Sequence, residues 1–574
     1  MFTLGINAAF HDSAACLVSD GQVVAAAEEE RFTRIKHGKR PVPFSAWELP
    51  FHSIDACLAE ADLGLCDVDH IAYSFNPNLL LGARANDATI SIPLHPDKYP
   101  DNPNLWDPLF LSHILNAPRQ LADGAPLHLE KRFRGARASD FNWEFVDHHA
   151  AHAASAFLAS PYDDAAVLCL DGRGERVSTT YWSGSGTTLT LLGEVRLPNS
   201  LGLLYEDITH HLGFLRSCDE YKVMALASYG APRFADELRS IVHLGDAGQY
   251  TTDSYDLVQR FGSSRNRGGP IEQRHYDVAR SLQLVLEDTV LELAGWLRNA
   301  TGSSRLCMAG GVALNCVMNA RLRDARIFEE IWVQPASGDA GTALGAALIV
   351  DARERCATRH YHMRQAYLGP SFDDETIESF LQWSKVPYRR VSDVSEAAAE
   401  LLADNKVLGW FQGRMEFGPR ALGARSILAS PVDPGMQARL NDIKDREDFR
   451  PVAPVVTEED AGKWFCDGGY APFMLFTFDV KPEMADRIPA VRHVDGTARV
   501  QTVSRAQNEL YYDLLQAFKR RTGIPILVNT SFNTRGEPLV CTPRDAVESF
   551  WTSPLDALVI GSFIAEKPTA LSEH

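Results

Sequence analysis

The chain has 574 residues, more than a single hydrophobic core holds, so at least two domains are expected. Its hydrophobic fraction of 45% and charged fraction of 23% are those of a globular protein, and no low-complexity tract interrupts it. A formal net charge of -19 works against general nucleic-acid binding, because phosphate backbones repel an acidic surface.

The 10 cysteines are scattered without a CxxC pair, which argues against a disulfide framework or thiolate zinc site and fits a reducing cytoplasm. The opening MFTLGINAAFHDSAACL has polar residues where a signal peptide needs an apolar run. With no uncharged apolar run of ~20 residues, no membrane span is expected, and a cytoplasmic location follows.

In chain order, FTLGINA reads as a strand, and SAACLVSDGQVVAAAEEE as a hairpin turning at Asp20-Gly21. EEERFTRIKHGKRPVPF follows, with Arg31, Arg34, Lys36, Lys39 and Arg40 crowded together. Such a run is either a solvated loop, the commoner case, or an anion patch. FNWEFV is a strand that runs into Ala-rich HHAAHAASAF, a helix. AAVLCLDGRGERVSTTYWSGSGTTLTLLGEV then repeats the first pattern of strand, polar turn, strand, turn and strand. Two such meanders suggest an internal duplication, or else two unrelated antiparallel sheets.

A long helical pattern lies between Asp277 and Asn299. RLCMAGGVALNCVMNARL and IWVQPASGDAGTALGAALIV are strand-turn-helix units of an α/β domain, whose ligands sit beyond the carboxyl ends of strands. Near residue 360 the sequence turns basic and irregular, which divides the chain into domains of 1–360 and 361–574. KVLGWFQG, PILVNTSF and DALVIGSF are buried-strand patterns of a second α/β domain.

His148 and His152 are four apart, so a helix puts both imidazoles on one face, with His149 turned about 100° away. Two surface histidines would have the same spacing. As metal ligands they need carboxylates, and Asp171 and Asp339 both lie at predicted strand ends. Two His and two Asp would suit Fe(II), Mn or Zn. Gly310-Gly311 lets backbone approach a ligand ahead of a helix N-terminus, and Asn315 can bond a ribose or base. Tight strand–helix packing explains the same glycines. His11-Asp12, in the first loop, is a candidate general base or a turn-capping pair.

The second domain carries the densest cationic set: Arg414, Arg420, Arg425, Lys444, Arg446, Arg450, Arg499 and Arg535, with Asn529, Ser531 and Asn533. Arg and Lys mixed with Ser and Asn at loop positions bind small phosphorylated molecules, and interleaved acids favour a discrete pocket over a nucleic-acid surface.

Taken together, HDSAACLVSDGQVVAAAEEERFTR, HHAAH, DGRGE, SLGLLYEDIT, YKVMALASYG, AGGVALN and SGDAGTALGAAL resemble the N-terminal part of O-carbamoyltransferases of the nodulation-protein-U type. GWFQGRMEFGPRALGARSIL, IKDREDFRPVAP and NTSFNTRGEPLV resemble their C-terminal part. The resemblance implies a duplicated actin-like ATPase (ASKHA) domain followed by a YrdC-like α/β domain. It implies that the YrdC-like domain converts carbamoyl phosphate and ATP, with Mg, into carbamoyl adenylate. The actin-like domain would then pass the carbamoyl group to a hydroxyl of a small-molecule acceptor.

Residue by residue, the resemblance implies metal ligands at His148, His152, Asp171 and Asp339, carrying iron. It implies a general base at His11, beside Asp12, and nucleotide contacts at Gly310, Gly311, Asn315, Glu206, Lys222 and Gly172. Lys444 and Arg446 with Ser531 and Asn533 read as its KxR…SxN signature. Arg420, Arg425, Arg450, Arg499 and Asn529 would surround carbamoyl phosphate and ATP. Competing readings are a tRNA threonylcarbamoyl-type transferase, an actin-like small-molecule kinase and a nucleotide-binding regulator. The acceptor and the oligomeric state are not specified by the sequence.

Overall fold

The computed structural model describes residues 1–38, 49–81, 114–118, 120–121, 141–359, 361–534 and 536–567. Lys39, Arg40 and Arg535 lie outside the described residues. The chain forms two compact units, Met1–Met363 and Arg364–His574. The fold is mixed α/β.

In the first unit, β1 (Phe2–Asn7), β2 (Ala14–Ser19) and β3 (Gln22–Glu28) form an antiparallel meander. The β2–β3 turn has Asp20 at φ 47° and Gly21 at φ 81°, the left-handed pair that a two-residue hairpin requires. β4 (His70–Tyr73) and β5 (Asn142–Phe145) add in parallel, giving the order β3-β2-β1-β4-β5.

The second sheet repeats this plan. β6 (Asp164–Leu170), β7 (Val177–Ser185) and β8 (Thr188–Arg196) form the meander. A separate two-stranded ribbon, β9 (Val242–Leu244) with β10 (Tyr250–Thr252), follows. β11 (Arg305–Ala309) and β12 (Glu330–Val333) then add in parallel beside β6. Read from β8, the order is again third, second, first, fourth, fifth. The two meanders are thus copies of one topology.

Two helices pack on each other, one against the β1, β2 and β4 strands and the other against β6, β7 and β11. His148–Phe157 follows β5, and Ala340–Arg355 follows β12. The first is almost wholly buried and the second is buried up to its exposed last turn, because each is Ala-rich and packs on other elements on most sides. Their approach is closest at Gly345, where a β-carbon would lie 1.8 Å from the Ala151 carbonyl oxygen. No larger residue permits that contact.

The second unit is built on an eight-stranded mixed sheet. Its strands are β13 (Arg389–Arg390), β14 (Leu408–Phe411), β15 (Arg425–Ala429), β16 (Ala453–Thr457), β19 (Gln501–Val503), β20 (Ile526–Ser531), β21 (Ala557–Ile560) and β22 (Phe563–Glu566). β17 (Thr477–Asp479) and β18 (Thr497–Arg499) form a small ribbon. The sheet order is β13-β22-β21-β14-β15-β20-β16-β19. Trp410, Tyr511, Leu558 and Val559 lie in its core.

All 10 cysteines are free. No helix among the described residues is long and apolar enough to cross a membrane. The basic run after β3 departs from a solvated loop. Arg31 is 2% exposed, clamped between Glu28 and Glu30, because a buried guanidinium must find carboxylates. Lys36 and His37 turn inward toward Cys218.

Candidate functional site

Each pole of the first unit's site comes from a chain end that a regular element fixes. Asp147 caps the His148–Phe157 helix by accepting from Ala150 N at 3.0 Å. Glu175 accepts from His148 N at 3.0 Å and from Asn76 N at 2.7 Å, which ties the same terminus to the DGRGE turn. Asp171 follows β6, and its Oδ1 accepts from Gly311 N at 2.7 Å. Asp339 directly precedes the Ala340–Arg355 helix but does not cap it. Its carboxylate turns toward the histidines instead.

One donor atom from each of His148, His152, Asp171 and Asp339 lies within 4.8 Å of the other three, and all four residues are buried. His148 Nε2 is 3.6 Å from Asp339 Oδ1 and 3.8 Å from Asp171 Oδ2. His152 Nε2 is 3.7 Å from Asp339 Oδ1. These separations are too long for hydrogen bonds. They are the spacing of atoms that share a neighbour at their centre. His148 Nδ1 donates to the Ser74 carbonyl at 3.1 Å, a tautomer that leaves a lone pair on Nε2.

His148 Nε2, both ring nitrogens of His152 and Asp339 Oδ1 are buried without a hydrogen-bond partner. Each such atom costs about 1–3 kcal/mol. A cation held by His148 Nε2, His152 Nε2 and Asp339 Oδ1 would remove the cost at those three atoms, and this donor set with Asp171 fits a divalent metal ion. Burial pushes the His148 imidazole down, but Asp339 and Asp171 outweigh it and hold it well above its usual range. Protons and a metal ion therefore compete for the same lone pairs.

His149 faces away from this centre. Its Nδ1 lies 3.1 Å from Thr180 Oγ1, and burial, helped by His152, pushes its imidazole down to about 3.

His11 stands at the edge of the cluster, with Nε2 4.0 Å from Asp339 Oδ2 and 36% of its side chain exposed. Its Nδ1 is 2.9 Å from Asp12 Oδ2. Burial works against its charge, but Asp339 and then Asp12 prevail and lift it to about 9. Phe10 and Asp12 have φ of 48° and 53°, left-handed values that non-glycine residues hold only when the surroundings fix them.

The proposed nucleotide contacts divide. Gly310 has φ 92°, and a β-carbon there would sit 2.1 Å from the Leu170 carbonyl oxygen, so only glycine closes this turn. Gly311 offers its N–H to Asp171. Gly172 lies against Glu206, a β-carbon there being 3.2 Å from Oε1. Glu206 pairs with Arg173 at 3.0 Å, and Lys222 with Asp219 at 3.2 Å. Asn315 is not a free ligand-facing amide. It caps the helix Cys316–Asp324 through Met318 N at 3.0 Å, and its Nδ2 donates to Gln283 at 2.9 Å.

In the second unit, Lys444 ends the helix Met436–Ile443 and is buried. Its ammonium meets the Ser531 carbonyl, Ser531 Oγ at 3.1 Å, the Asn533 carbonyl at 3.1 Å and Asn533 Oδ1 at 2.6 Å. Burial, then Arg446 and Arg450, push its pKa well down, while the four oxygens favour the charge. Arg446 Nε donates to Asn441 Oδ1 at 2.7 Å, and Arg450 lies 3.5 Å from Glu447. Asn529 Nδ2 donates to Gln501 Oε1 at 2.7 Å, leaving its buried Oδ1 without a partner. The guanidiniums of Arg420 and Arg499 each carry a buried Nε.

Arg425 departs from the expected phosphate-binding role. It is fully buried, stacks on Phe411 at 3.7 Å and donates to the carbonyls of Gln412, Gly413, Ala424 and Pro370. Its Nη groups are committed to backbone carbonyls, while its buried Nε has no hydrogen-bond partner. Arg414 likewise donates to the carbonyls of Leu368 and Gly369.

Sequence reasoning passed over Glu175, His37, Cys218 and Glu416. Glu416 Oε1 accepts from Leu422, Ala424 and Arg425 main-chain N–H groups and so shapes the FGPRALGAR loop. The Glu of DGRGE was a usable signal for Glu175. Nothing local marks His37.

The carboxyl ends of α/β strands are where such folds bind ligands. Residues 3–85 and 135–348 match the carbamoyltransferase N-terminus family, and residues 399–567 the carbamoyltransferase C-terminus family. The chain is 40% identical to nodulation protein NolNO of Sinorhizobium fredii, over 99% of this chain and 80% of that one. It is 30% identical to nodulation protein U of Rhizobium tropici, over 92% and 90%. It is 40% identical to uncharacterized protein sll1178 of Synechocystis sp., over 98% and 96%. The chain belongs to the carbamoyltransferase family and is a carbamoyltransferase enzyme.

Proposed function

We propose that the protein is an ATP-dependent O-carbamoyltransferase that divides its reaction between its two units. The second unit acts as a YrdC-like site for carbamoyl phosphate and ATP. There water cleaves carbamoyl phosphate to carbamate and phosphate. A carbamate oxygen attacks the α-phosphorus of ATP, and pyrophosphate leaves. Lys444, Arg446 and Arg450, with Arg420 and Arg499, supply positive charge to the phosphates. Ser531, Asn533 and Asn529 orient the carbamoyl end.

The first unit acts as the transfer site, an actin-like duplicated domain with Gly310 and Gly311 beside the nucleotide. A divalent ion held by His148, His152, Asp171 and Asp339 would polarise the carbamoyl carbonyl and offset the charge of Asp339 beside His11. His11, held by Asp12, takes the proton from the acceptor hydroxyl as its oxygen attacks the carbonyl carbon. The carbon–oxygen bond to AMP breaks, and AMP leaves with the electron pair. The acceptor is a hydroxyl-bearing small molecule.

The observation that carries this reading is the buried set of unpartnered nitrogen and oxygen atoms next to His11. The test follows pyrophosphate release from ATP and carbamoyl phosphate. Lys444→Ala is expected to abolish it, and unchanged release sinks the first step. His11→Ala is expected to abolish acceptor carbamoylation, and unchanged carbamoylation sinks the second.

A further inference from the structure

Asp12 is held from two sides. His11 Nδ1 meets its Oδ2 at 2.9 Å, and His37 Nδ1 meets its Oδ1 at 2.6 Å. The backbone repeats the tie, since Asp12 N donates to the His37 carbonyl at 3.1 Å. His37 is itself fixed at three more points. Its N–H donates to Glu30 Oε2 at 2.6 Å, its Nε2 lies 3.2 Å from Cys218 Sγ, and its ring stands edge-on to His11 at 6.0 Å.

Backbone strain gathers at the same place. Asp12 has φ 53° and His37 φ 65°, and neither is glycine. Such residues persist only where surrounding bonds over-determine them. Here those bonds run between the two strained residues. Asn7 Nδ2 adds support from β1, donating to the carbonyls of His11 at 3.0 Å and Asp12 at 3.1 Å.

We infer that His37 is the positioning residue of the transfer site: it anchors Asp12 so that Asp12 accepts from His11 Nδ1 and aims His11 Nε2 at the cluster. This rests on the reading of His11 as the proton acceptor. A carboxylate shared by two imidazoles has no free rotamer. Without His37, Asp12 Oδ1 is released, the carboxylate turns toward solvent, and His11 loses the contact that sets its ring and its tautomer. An unfixed base is present at the site but seldom at the attack angle, which lowers kcat and leaves substrate affinity unchanged.

Three full-length variants test this: His37→Phe, His37→Asn and His11→Ala. Asparagine places Nδ2 near the former Nδ1, so it keeps the bond to Asp12. Phenylalanine keeps the volume and loses the bond. Crystal structures give the first readout. In His37→Phe the His11 Nδ1–Asp12 Oδ2 contact is expected to open beyond hydrogen-bond distance, and in His37→Asn to survive. Kinetics give the second, as carbamoyl transfer from radiolabelled carbamoyl phosphate to a panel of aminoglycoside and oligosaccharide probes. Transfer kcat is expected to fall about 10- to 100-fold in His37→Phe at unchanged KM, with most of it regained in His37→Asn. Pyrophosphate release, as a check on folding, stays at the parent rate.

The inference is overturned if His37→Phe keeps the Asp12–His11 contact, or if it transfers like the parent while His11→Ala does not. If His11→Ala itself transfers normally, the reading of His11 falls, while the crystal structures still decide whether His37 holds Asp12.

Discussion

The two units place opposite chemistry at their strand ends. In the first, two imidazoles and two carboxylates point lone pairs at one another and leave four atoms unpartnered. In the second, Lys444 is surrounded by four oxygens, with guanidiniums nearby. The first arrangement could hold a cation, whereas the Lys444 ammonium of the second already has its oxygen partners. Removing a bound ion and removing a side chain should therefore injure different units.

Metal removal has the largest expected effect. Dialysis against a chelator should cut acceptor carbamoylation more than about 100-fold while pyrophosphate release holds. It should also lower the first unit's melting temperature, because a ligand that binds only the folded state stabilises it. An equal loss of both activities would break the comparison.

Next comes the helix contact that assembles the cluster. A valine at position 345 must push the Ala151 carbonyl away, so Gly345→Val should cost about 3 kcal/mol or more by denaturant unfolding and should reduce bound metal by elemental analysis. Full metal content in that variant would show that the two helices need not touch.

A smaller effect sharpens the second unit. His493 is lowered to about 4 by burial, with Arg499 working in the same direction against Asp495. Its neutral form is favoured in the fold, so its contribution is complete above pH 6.5 and is lost as pH falls from 6.5 to about 4. His493→Gln should flatten that acid limb of the stability curve by about 1 kcal/mol. In the first unit, Glu175 and Glu220 are raised to about 7, chiefly by burial. The fold takes up their protons first, so they add stability as pH falls from 7 toward 4.5.

The sequence made visible what repeats or turns. β1, the Asp20-Gly21 hairpin and the second meander were legible because apolar alternation and turn residues are local signals. His148 and His152 were nominated as a pair from helix spacing and Asp171 and Asp339 from strand ends, and in the fold one donor atom of each lies within 4.8 Å of the others. Arg425 misled because a loop arginine that ties down four carbonyls has the same letter as one that binds phosphate. Asn315 misled for the same reason, being spent on a helix cap. The Asp12–His37 bond was invisible, since it spans 25 residues of irregular chain with no period to carry it.

The most direct measurement crosses the two sites in one experiment. Pyrophosphate release and acceptor carbamoylation are followed in parallel for Lys444→Ala and for the double variant His148→Ala/His152→Ala. The division of labour predicts that Lys444→Ala loses both products, about 100-fold or more, because nothing is made to transfer. It predicts that the double variant keeps pyrophosphate release within about twofold and loses carbamoylation. Pyrophosphate release that disappears with the histidines, or carbamoylation that survives without them, would contradict it.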